Sequence, residues 1–411
     1  MNVCDSDIIS SALISYGASK VTSLSDADIV ILNTCSVRAQ AEQKAFSYLG
    51  RAEEFKKKNP NIKIAVIGCM AERLGSKIKS RFHSVDAVIG AKDIDNAAEK
   101  IIRLSGMGKS VKKETPGIKS EIIRYVTIMR GCDNYCSYCV VPMVRGGETS
   151  LNCGEIISEC ETMARNGAKE IMLLGQNVNS YLYENVNFAS LIKKVSAIDG
   201  IERIRFMTNH PKDLNSELID IMACEPKVCS HIHLPMQSAS NKILQAMNRK
   251  YTYEHYLGLI EQLRNKIPDI NITTDIIVGF PGETKEDFQE SLKAVKEIRF
   301  GGLYVFRYSP RPQTKAASMP DDVPLEEKKK RHALILEESN KISMEIVAQS
   351  VGTAQEVLTE KYENGVLEAR TRSGRKVFVK GNENNLGKNL KVYIREAKIN
   401  SLFGDIENEK A

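Results

Sequence analysis

The chain has 411 residues, 42% hydrophobic and 27% charged, too many for one ordinary core, and no low-complexity tract, so two or three folded domains are expected. Its apolar stretches, such as residues 64–70, fall far short of the about 20 residues a membrane span requires, and Met1-Asn2-Val3-Cys4-Asp5 lacks the basic and apolar regions of an export signal, which predicts a cytoplasmic protein without membrane contact. A net charge of +6 permits a polyanionic partner without demanding one.

From Ser23 to Glu99 short apolar strands alternate with helix-like stretches. Residues 27–32, 63–67 and 85–90 read as strands, each running into a turn and then a helix, the pattern of a parallel sheet with crossover helices in the α/β class. Cys35 and Cys69 both stand just past a strand's C-terminal end, where open α/β sheets gather ligands. A single Cys at such a turn is commonly a buried small hydrophobe, whereas a matched pair also suits metal ligation. Residues 104–120, with Gly106, Gly108, Pro116 and Gly117 among several lysines, read as a linker.

A strand at 125–129 then feeds Arg130-Gly131-Cys132-Asp133-Asn134-Tyr135-Cys136-Ser137-Tyr138-Cys139. The C-x3-C-x2-C spacing sets three soft ligands in one short loop and leaves a fourth coordination position without a local donor. Structural zinc takes four ligands, and the nearest further thiols, Cys153 and Cys160, are spaced like one face of a helix. In a reducing cytosol clustered thiols bind metal more often than they pair. An iron–sulfur cluster with one open iron fits best.

Further strands at 170–174, 203–207, 231–234, 272–278 and 302–307, separated by helix-length segments, predict a partial or full β/α barrel with reacting groups at the strand C-termini. Polar loops follow these strands, carrying Gln176 and Asn177, then His210, then Gln237. Residues 279–284 fit a plain turn before a helix beginning near Lys285. His231 and His233 alternate on a strand and are expected to be hydrogen-bonded interior groups rather than ligands.

Residues 324–349 read as a charged connecting helix whose run 326–331 forms a solvated face. Beyond Val351, strands at 354–359, 366–371, 376–379 and 390–394 with frequent Gly turns indicate a small antiparallel barrel. Between Val351 and Leu402 ten Lys and Arg face six Asp and Glu, with Arg370, Arg372, Arg375, Lys376 and Lys380 concentrated together. That rim reads either as a phosphate contact or as ordinary solvated surface.

With Tyr138 directly before the third thiol, the cysteine loop resembles the signature of radical S-adenosylmethionine enzymes. Asn33-Thr34-Cys35-Ser36-Val37-Arg38 and Gly68-Cys69-Met70-Ala71-Glu72-Arg73 resemble two of the three cysteine motifs of the methylthiotransferase family. Leu174-Gly175-Gln176-Asn177-Val178-Asn179-Ser180-Tyr181 and Asn209-His210-Pro211-Lys212-Asp213 are similar to the branch that modifies isopentenylated adenosine in tRNA. The likeness covers nearly the whole chain. It implies an N-terminal methylthiotransferase domain (1–103), the linker (104–120), a radical S-adenosylmethionine domain with its connecting helix (121–349) and a TRAM-like RNA-binding domain (350–411).

The resemblance further implies S-adenosylmethionine and two 4Fe-4S clusters, a radical cluster on Cys132, Cys136 and Cys139 and an auxiliary one on Cys35 and Cys69. Cofactor contacts are expected from Tyr138, Glu148, Gln176, Asn177 and Gln237, and substrate contacts from Arg145, His210, Arg370, Arg372, Arg375 and Lys376. No acid or base is assigned. The implied activity is methylthiolation at C2 of N6-isopentenyladenosine beside the anticodon, by a monomer supplied with electrons by a flavodoxin or ferredoxin. The alternatives are threonylcarbamoyladenosine tRNA, a ribosomal protein, or an RNA-binding iron–sulfur protein.

Two departures stand out. The family's first cysteine would lie two residues before Met1, which is read as a start placed at an internal Met; as written, the auxiliary cluster lacks its third thiol, and the strand next to the missing one is expected to expose an edge. Where relatives run Arg-Gly-Arg-Glu, this chain has Arg145-Gly146-Gly147-Glu148, losing basic groups expected near the substrate.

Overall fold

The computed structural model describes residues 1–36, 39–107 and 121–407. The chain divides into two compact units, one of residues 1–119, 130–135 and 139–149 and the other of 120–129, 136–138 and 150–411. The linker expectation for 108–120 lies outside the described residues.

The first unit is built on a parallel sheet of β1 (Ile29–Thr34), β2 (Lys63–Gly68) and β3 (Ala87–Gly90), ordered β1-β2-β3. The middle strand is buried from Ile64 onward, because helices cover both its faces. Ile64 and Val66 pack with Leu49 and Ala52 of the helix Ala39–Lys58. Ala65 and Ile67, pointing the other way, pack with Ile9 and Leu13 of Asn2–Ser15 and with Ile101 of Ala97–Ser105. Among the described residues β1 pairs only with β2, and a cavity of about 690 Å³ borders its other side.

The second unit contains six parallel strands, β4 (Ile123–Thr127), β5 (Glu170–Leu174), β6 (Arg203–Phe206), β7 (His231–His233), β8 (Asn271–Val278) and β9 (Gly302–Arg307). They form the triplets β4-β5-β6 and β7-β8-β9, and an isolated parallel bridge pairs Ile204 of β6 with Val228, three residues before β7. Chain neighbours are thus sheet neighbours, the order of a β/α barrel. Among the described residues β4 and β9 do not pair, so the barrel is partial. Cys153 and Cys160 are buried on the helix Cys153–Arg165 and belong to the barrel's core.

The helix Leu325–Ala348 corrects one expectation, since its charged run is not all solvated. Lys328 and Arg331 are buried, Arg331 on Glu283 at 2.6 Å and Lys328 over the Tyr308 ring at 5.1 Å. Long stems allow these cations to cover apolar surface while their heads find partners. The turn reading of 279–284 holds, because Thr284 caps the helix Lys285–Ile298 in a capping box with Asp287.

Five strands, β10 (Ala354–Glu363), β11 (Val366–Thr371), β12 (Lys376–Lys380), β13 (Asn389–Lys398) and β14 (Ser401–Ile406), close a barrel in the order β10-β11-β12-β14-β13. Asn364 and Gly365 both adopt positive φ, 50° and 83°, as a two-residue hairpin turn requires. The fifth strand was not evident from sequence. It closes the barrel by pairing parallel to β12 and antiparallel to β13.

Candidate metal centre

The cysteine loop is shaped by backbone constraints at several points. Gly131 has φ 75°, and a Cβ there would collide with the Gly147 carbonyl. Tyr135, just before the second thiol, also adopts positive φ, 47°, an unusual state for a large side chain. Within the second unit Ser137 is pinned from three directions: its N donates to Met247 O at 3.0 Å, its Oγ to Ala246 O at 2.8 Å, and its carbonyl accepts from Ala316 N at 2.7 Å.

Each thiol of the loop receives an N–H. Cys132 Sγ accepts from Asn134 Nδ2 at 3.4 Å, Cys136 Sγ from Arg249 Nη1 at 3.3 Å, and Cys139 Sγ from Val141 N at 3.5 Å. N–H donors on sulfur suit thiolates that carry cluster charge. Among the described residues no three His, Cys, Asp or Glu side chains are gathered closely enough for a metal ion. The case for these ligands therefore rests on spacing, donor chemistry and charge.

Arg249 supplies the charge argument. It is 4% exposed, and its other donors go to neutral acceptors, Nε to Tyr251 Oη at 3.2 Å and Nη2 to Pro235 O at 3.1 Å. Its flanking residues Asn248 and Lys250 both take positive φ, 57° and 55°. A buried guanidinium calls for negative charge nearby, which a metal-bound thiolate at Cys136 would provide. The site fits an anionic cluster.

Around the strand C-termini several buried amides lack a protein partner for one oxygen: Asn177 Oδ1, Asn209 Oδ1 and Gln237 Oε1. Their remaining contacts hold them in place, Asn177 Nδ2 donating to Asp213 Oδ2 at 2.7 Å and Asn209 Nδ2 to His233 O at 3.0 Å. Gln237 and the neighbouring Thr208 have φ of 70° and 71°, backbone states that cost energy and gather at binding sites. Orphaned buried acceptors suit a polar ligand. Of the other expected cofactor contacts, Tyr138, Glu148 and Gln176 are half-buried, and Glu148 N donates to Asp133 Oδ2 at 3.2 Å.

His210 is buried, its Nδ1 accepting from Lys212 N at 3.2 Å and its ring edge-on to Tyr251 at 5.6 Å. Burial, then Arg249, Lys212 and Lys250, hold it neutral, well below the usual imidazole range. His231 and His233 both bond Thr273 Oγ1, at 3.2 and 3.0 Å, as interior residues. His233 Nε2 also lies 3.5 Å from Asp275 Oδ2 on the adjoining strand.

In the first unit, parallel register pairs Thr34 with Gly68, so Cys35 and Cys69 follow directly on matched ends of neighbouring strands. Gly68, at φ 92°, admits this approach, because a Cβ would meet Asn33 Oδ1 and Thr34 O at 2.6 Å. Burial pushes the Cys69 thiol up, opposed by Arg145 beside it. The Arg145 side chain is 6% exposed within this unit, where Nη2 reaches Asn2 Oδ1 at 3.0 Å and Asp5 Oδ2 at 3.3 Å. Asp5 has no access to solvent and draws the guanidinium inward.

Compared with known proteins, residues 1–90 match the uncharacterized protein family UPF0004, residues 126–295 the Radical SAM superfamily and residues 348–406 the TRAM domain. Over 406 residues the chain is 70% identical to the tRNA-2-methylthio-N(6)-dimethylallyladenosine synthase of Endomicrobium trichonymphae, covering 99% of this chain and 97% of that one. The chain belongs to the tRNA-2-methylthio-N(6)-dimethylallyladenosine synthase family. Synthases of the same name from Syntrophomonas wolfei and Alkaliphilus oremlandii are 43% and 44% identical, each covering 100% of this chain and 96% and 91% of theirs. Among solved structures, the radical S-adenosylmethionine methyltransferase TsrM from Kitasatospora setae aligns with TM-score 0.54 at 13% identity, over 87% of this chain and 71% of that one, a likeness of fold alone. Radical S-adenosylmethionine enzymes and the synthase family use 4Fe-4S clusters and S-adenosylmethionine.

In this synthase the TRAM arginines named from sequence turn out to be engaged within the protein. Arg370 grips Glu360 at 2.6 and 3.0 Å, and Arg372 donates to the Pro226 and Val228 carbonyls of the partial barrel. Arg375 is half-buried, and Lys376 pairs with Glu368 at 2.6 Å. The clustering of Arg370, Arg372 and Arg375 reflects a dock: Arg203 Nη1 meets Arg370 O at 2.6 Å, and Arg205 donates to Arg372 O and Thr371 O at 3.0 and 2.6 Å. Sequence reasoning missed Arg203, Arg205 and Arg249. The first two sit inside an apolar strand, and the third has no motif spacing to announce it.

Proposed function

We infer that this chain is a tRNA methylthiotransferase that installs a methylthio group at C2 of N6-isopentenyladenosine beside the anticodon. The observation that carries the reading is identity of 70% to a synthase of that name along nearly the whole of both chains. The N–H donors on all three loop thiols support it.

On this reading Cys132, Cys136 and Cys139 hold the radical cluster, and Cys35 and Cys69, set side by side by β1 and β2, hold the second. The chemistry supplied by the bound cluster and S-adenosylmethionine is one-electron cleavage of a sulfonium to a carbon radical, needed because C2 bears an unactivated C–H. Asn177 and Gln237 offer buried amide oxygens to the cofactor's polar groups. Tyr138, Glu148 and Gln176 are the further cofactor contacts of this reading, and neutral His210, whose Nδ1 already accepts from Lys212 N, offers the substrate an Nε2 donor or a stacking face. Among the described residues no helix is long and apolar enough to cross a membrane, and the tRNA substrate supports a cytoplasmic location. A monomer reduced by a flavodoxin or ferredoxin completes the reading.

The decisive experiment digests tRNA after reaction with the reconstituted wild-type protein and with the Cys35→Ala and Cys132→Ala variants. Wild type forms the 2-methylthio nucleoside; Cys35→Ala loses it but still cleaves S-adenosylmethionine; Cys132→Ala loses both and about four irons. Thiolation unaffected in Cys35→Ala would remove the N-terminal domain from sulfur transfer. Modification of threonylcarbamoyladenosine in place of isopentenyladenosine would move the chain to a sister branch.

A further inference from the structure

Arg249 is a buried cation whose described partners include no carboxylate. Its three bonded acceptors are the Tyr251 hydroxyl, the Pro235 carbonyl and Cys136 Sγ; the hydroxyl keeps its proton by donating it onward, which leaves the sulfur as the acceptor that carries negative charge. Tyr251 is itself fixed, its hydroxyl donating to Met236 O at 2.7 Å. The guanidinium thus cannot swing away without giving up two anchoring bonds. Asn248 and Lys250, both at positive φ, fix the backbone on either side of it. Left-handed backbone in non-glycine residues costs about 1 kcal/mol or more each, so two of them flanking one buried arginine mark a position held for a purpose beyond packing.

We propose that Arg249 is a positioning residue of the radical centre, the fixed counter-cation that orients Cys136 as a ligand and favours the one-electron-reduced state of the cluster. This rests on the assignment of Cys132, Cys136 and Cys139 as cluster ligands. Reduction adds one negative charge to an already anionic site. A permanent positive charge on a ligating sulfur stabilises the added electron more than it stabilises the oxidised state, and burial keeps water from screening the difference. The electron comes from the enzyme's reductant, dithionite in the experiment below, and no bond is made or broken by Arg249.

The test is an anaerobic redox titration, followed by electron paramagnetic resonance, of reconstituted wild type, Arg249→Lys and Arg249→Gln, reading the signal that added S-adenosylmethionine perturbs. Lysine keeps the charge; glutamine keeps a donor and removes it. At the wild-type midpoint, the ratio of reduced to oxidised cluster is expected to drop at least tenfold in Arg249→Gln, equivalent to about 59 mV for a one-electron couple, and less than threefold in Arg249→Lys. Loss of iron in Arg249→Gln with retention in Arg249→Lys supports the proposal equally. A Gln midpoint matching wild type, or equal displacement or equal iron loss in both variants, overturns it. A wild-type protein that assembles no S-adenosylmethionine-responsive cluster would instead sink the ligand assignment.

Discussion

Arg205 and Glu170 form a buried ion pair between neighbouring strands of the partial barrel, Nε to Oε1 at 2.9 Å, with side chains 3% and 1% exposed. Glu170 Oε2 has no second partner, while the guanidinium goes on to two carbonyls of the TRAM turn. Glu170→Ala leaves Arg205 charged and buried without its carboxylate. The expected loss is about 3–5 kcal/mol, read as a lower urea midpoint, with faster proteolysis at the barrel–TRAM junction.

Gly68→Ala places a methyl against Asn33 Oδ1 and Thr34 O at 2.6 Å, on a backbone at φ 92°. The ends of β1 and β2 must part to admit it. Iron bound at Cys35 and Cys69 is expected to fall severalfold while the S-adenosylmethionine-responsive signal persists, which iron analysis together with electron paramagnetic resonance checks.

Asp5 is shared by Arg130 at 2.9 Å and Arg145 at 3.3 Å. Asp5→Ala strands a buried Arg145, whose Nη1 already lacks a hydrogen-bond partner. A loss of about 3–5 kcal/mol is expected. A calorimetric scan should show it in the first transition if the two compact units melt separately.

Acid should weaken the fold through two histidines as well as through carboxylates. Burial with Arg249, Lys212 and Lys250 keeps His210 neutral far below its unfolded value, and burial with Arg205, His233, Arg370 and Arg375 pushes His231 down to about 3. Unfolding frees both to bind protons near pH 6.5. Their contribution is complete above about pH 6.5 and is lost as pH falls toward 3, each at up to about 1.4 kcal/mol per pH unit. Urea midpoints at pH 7.5 and 5.0 should differ, and His231→Gln should shrink the difference.

Arg372 commits its Nη2 to the Pro226 and Val228 carbonyls. Arg372→Ala is therefore expected to lower the melting temperature while leaving the salt dependence of tRNA binding unchanged. A phosphate-contacting arginine would reduce the log–log salt slope by about 1, and a filter-binding series across salt separates the two.

Much of this architecture was readable because period and punctuation agree with the fold. The run Lys63-Ile64-Ala65-Val66-Ile67-Gly68 is apolar on both faces, as a central parallel strand must be, and Asn364-Gly365 is a favoured composition for a two-residue hairpin turn. Cys35 and Cys69 were legible as a pair since strand-end register carries straight into space. The strand Ser401–Ile406 escaped notice, because its Gly404 weakens the alternation and its pairing with Lys376–Lys380 is parallel and non-local. The basic residues misled for a related reason. A charge tells where a cation is in the chain but not whether a partner waits for it, so Arg370, Lys328 and Arg331 read as solvent-facing when each had a buried partner or an apolar bed.

The TRAM turn is held by Arg203 and Arg205 through backbone oxygens of Arg370, Thr371 and Arg372. Oxygens of that kind are present whatever side chains the turn carries. These three bonds are therefore indifferent to the side chains of the turn, although Arg372 adds its own from Nη2 to the Pro226 and Val228 carbonyls. A C-terminal barrel from a distant relative, grafted after Ala348, would keep these backbone bonds if its turn had the same length, and would seat fully only if it also offered Arg203 the acceptors that Glu356 and Asn389 supply here.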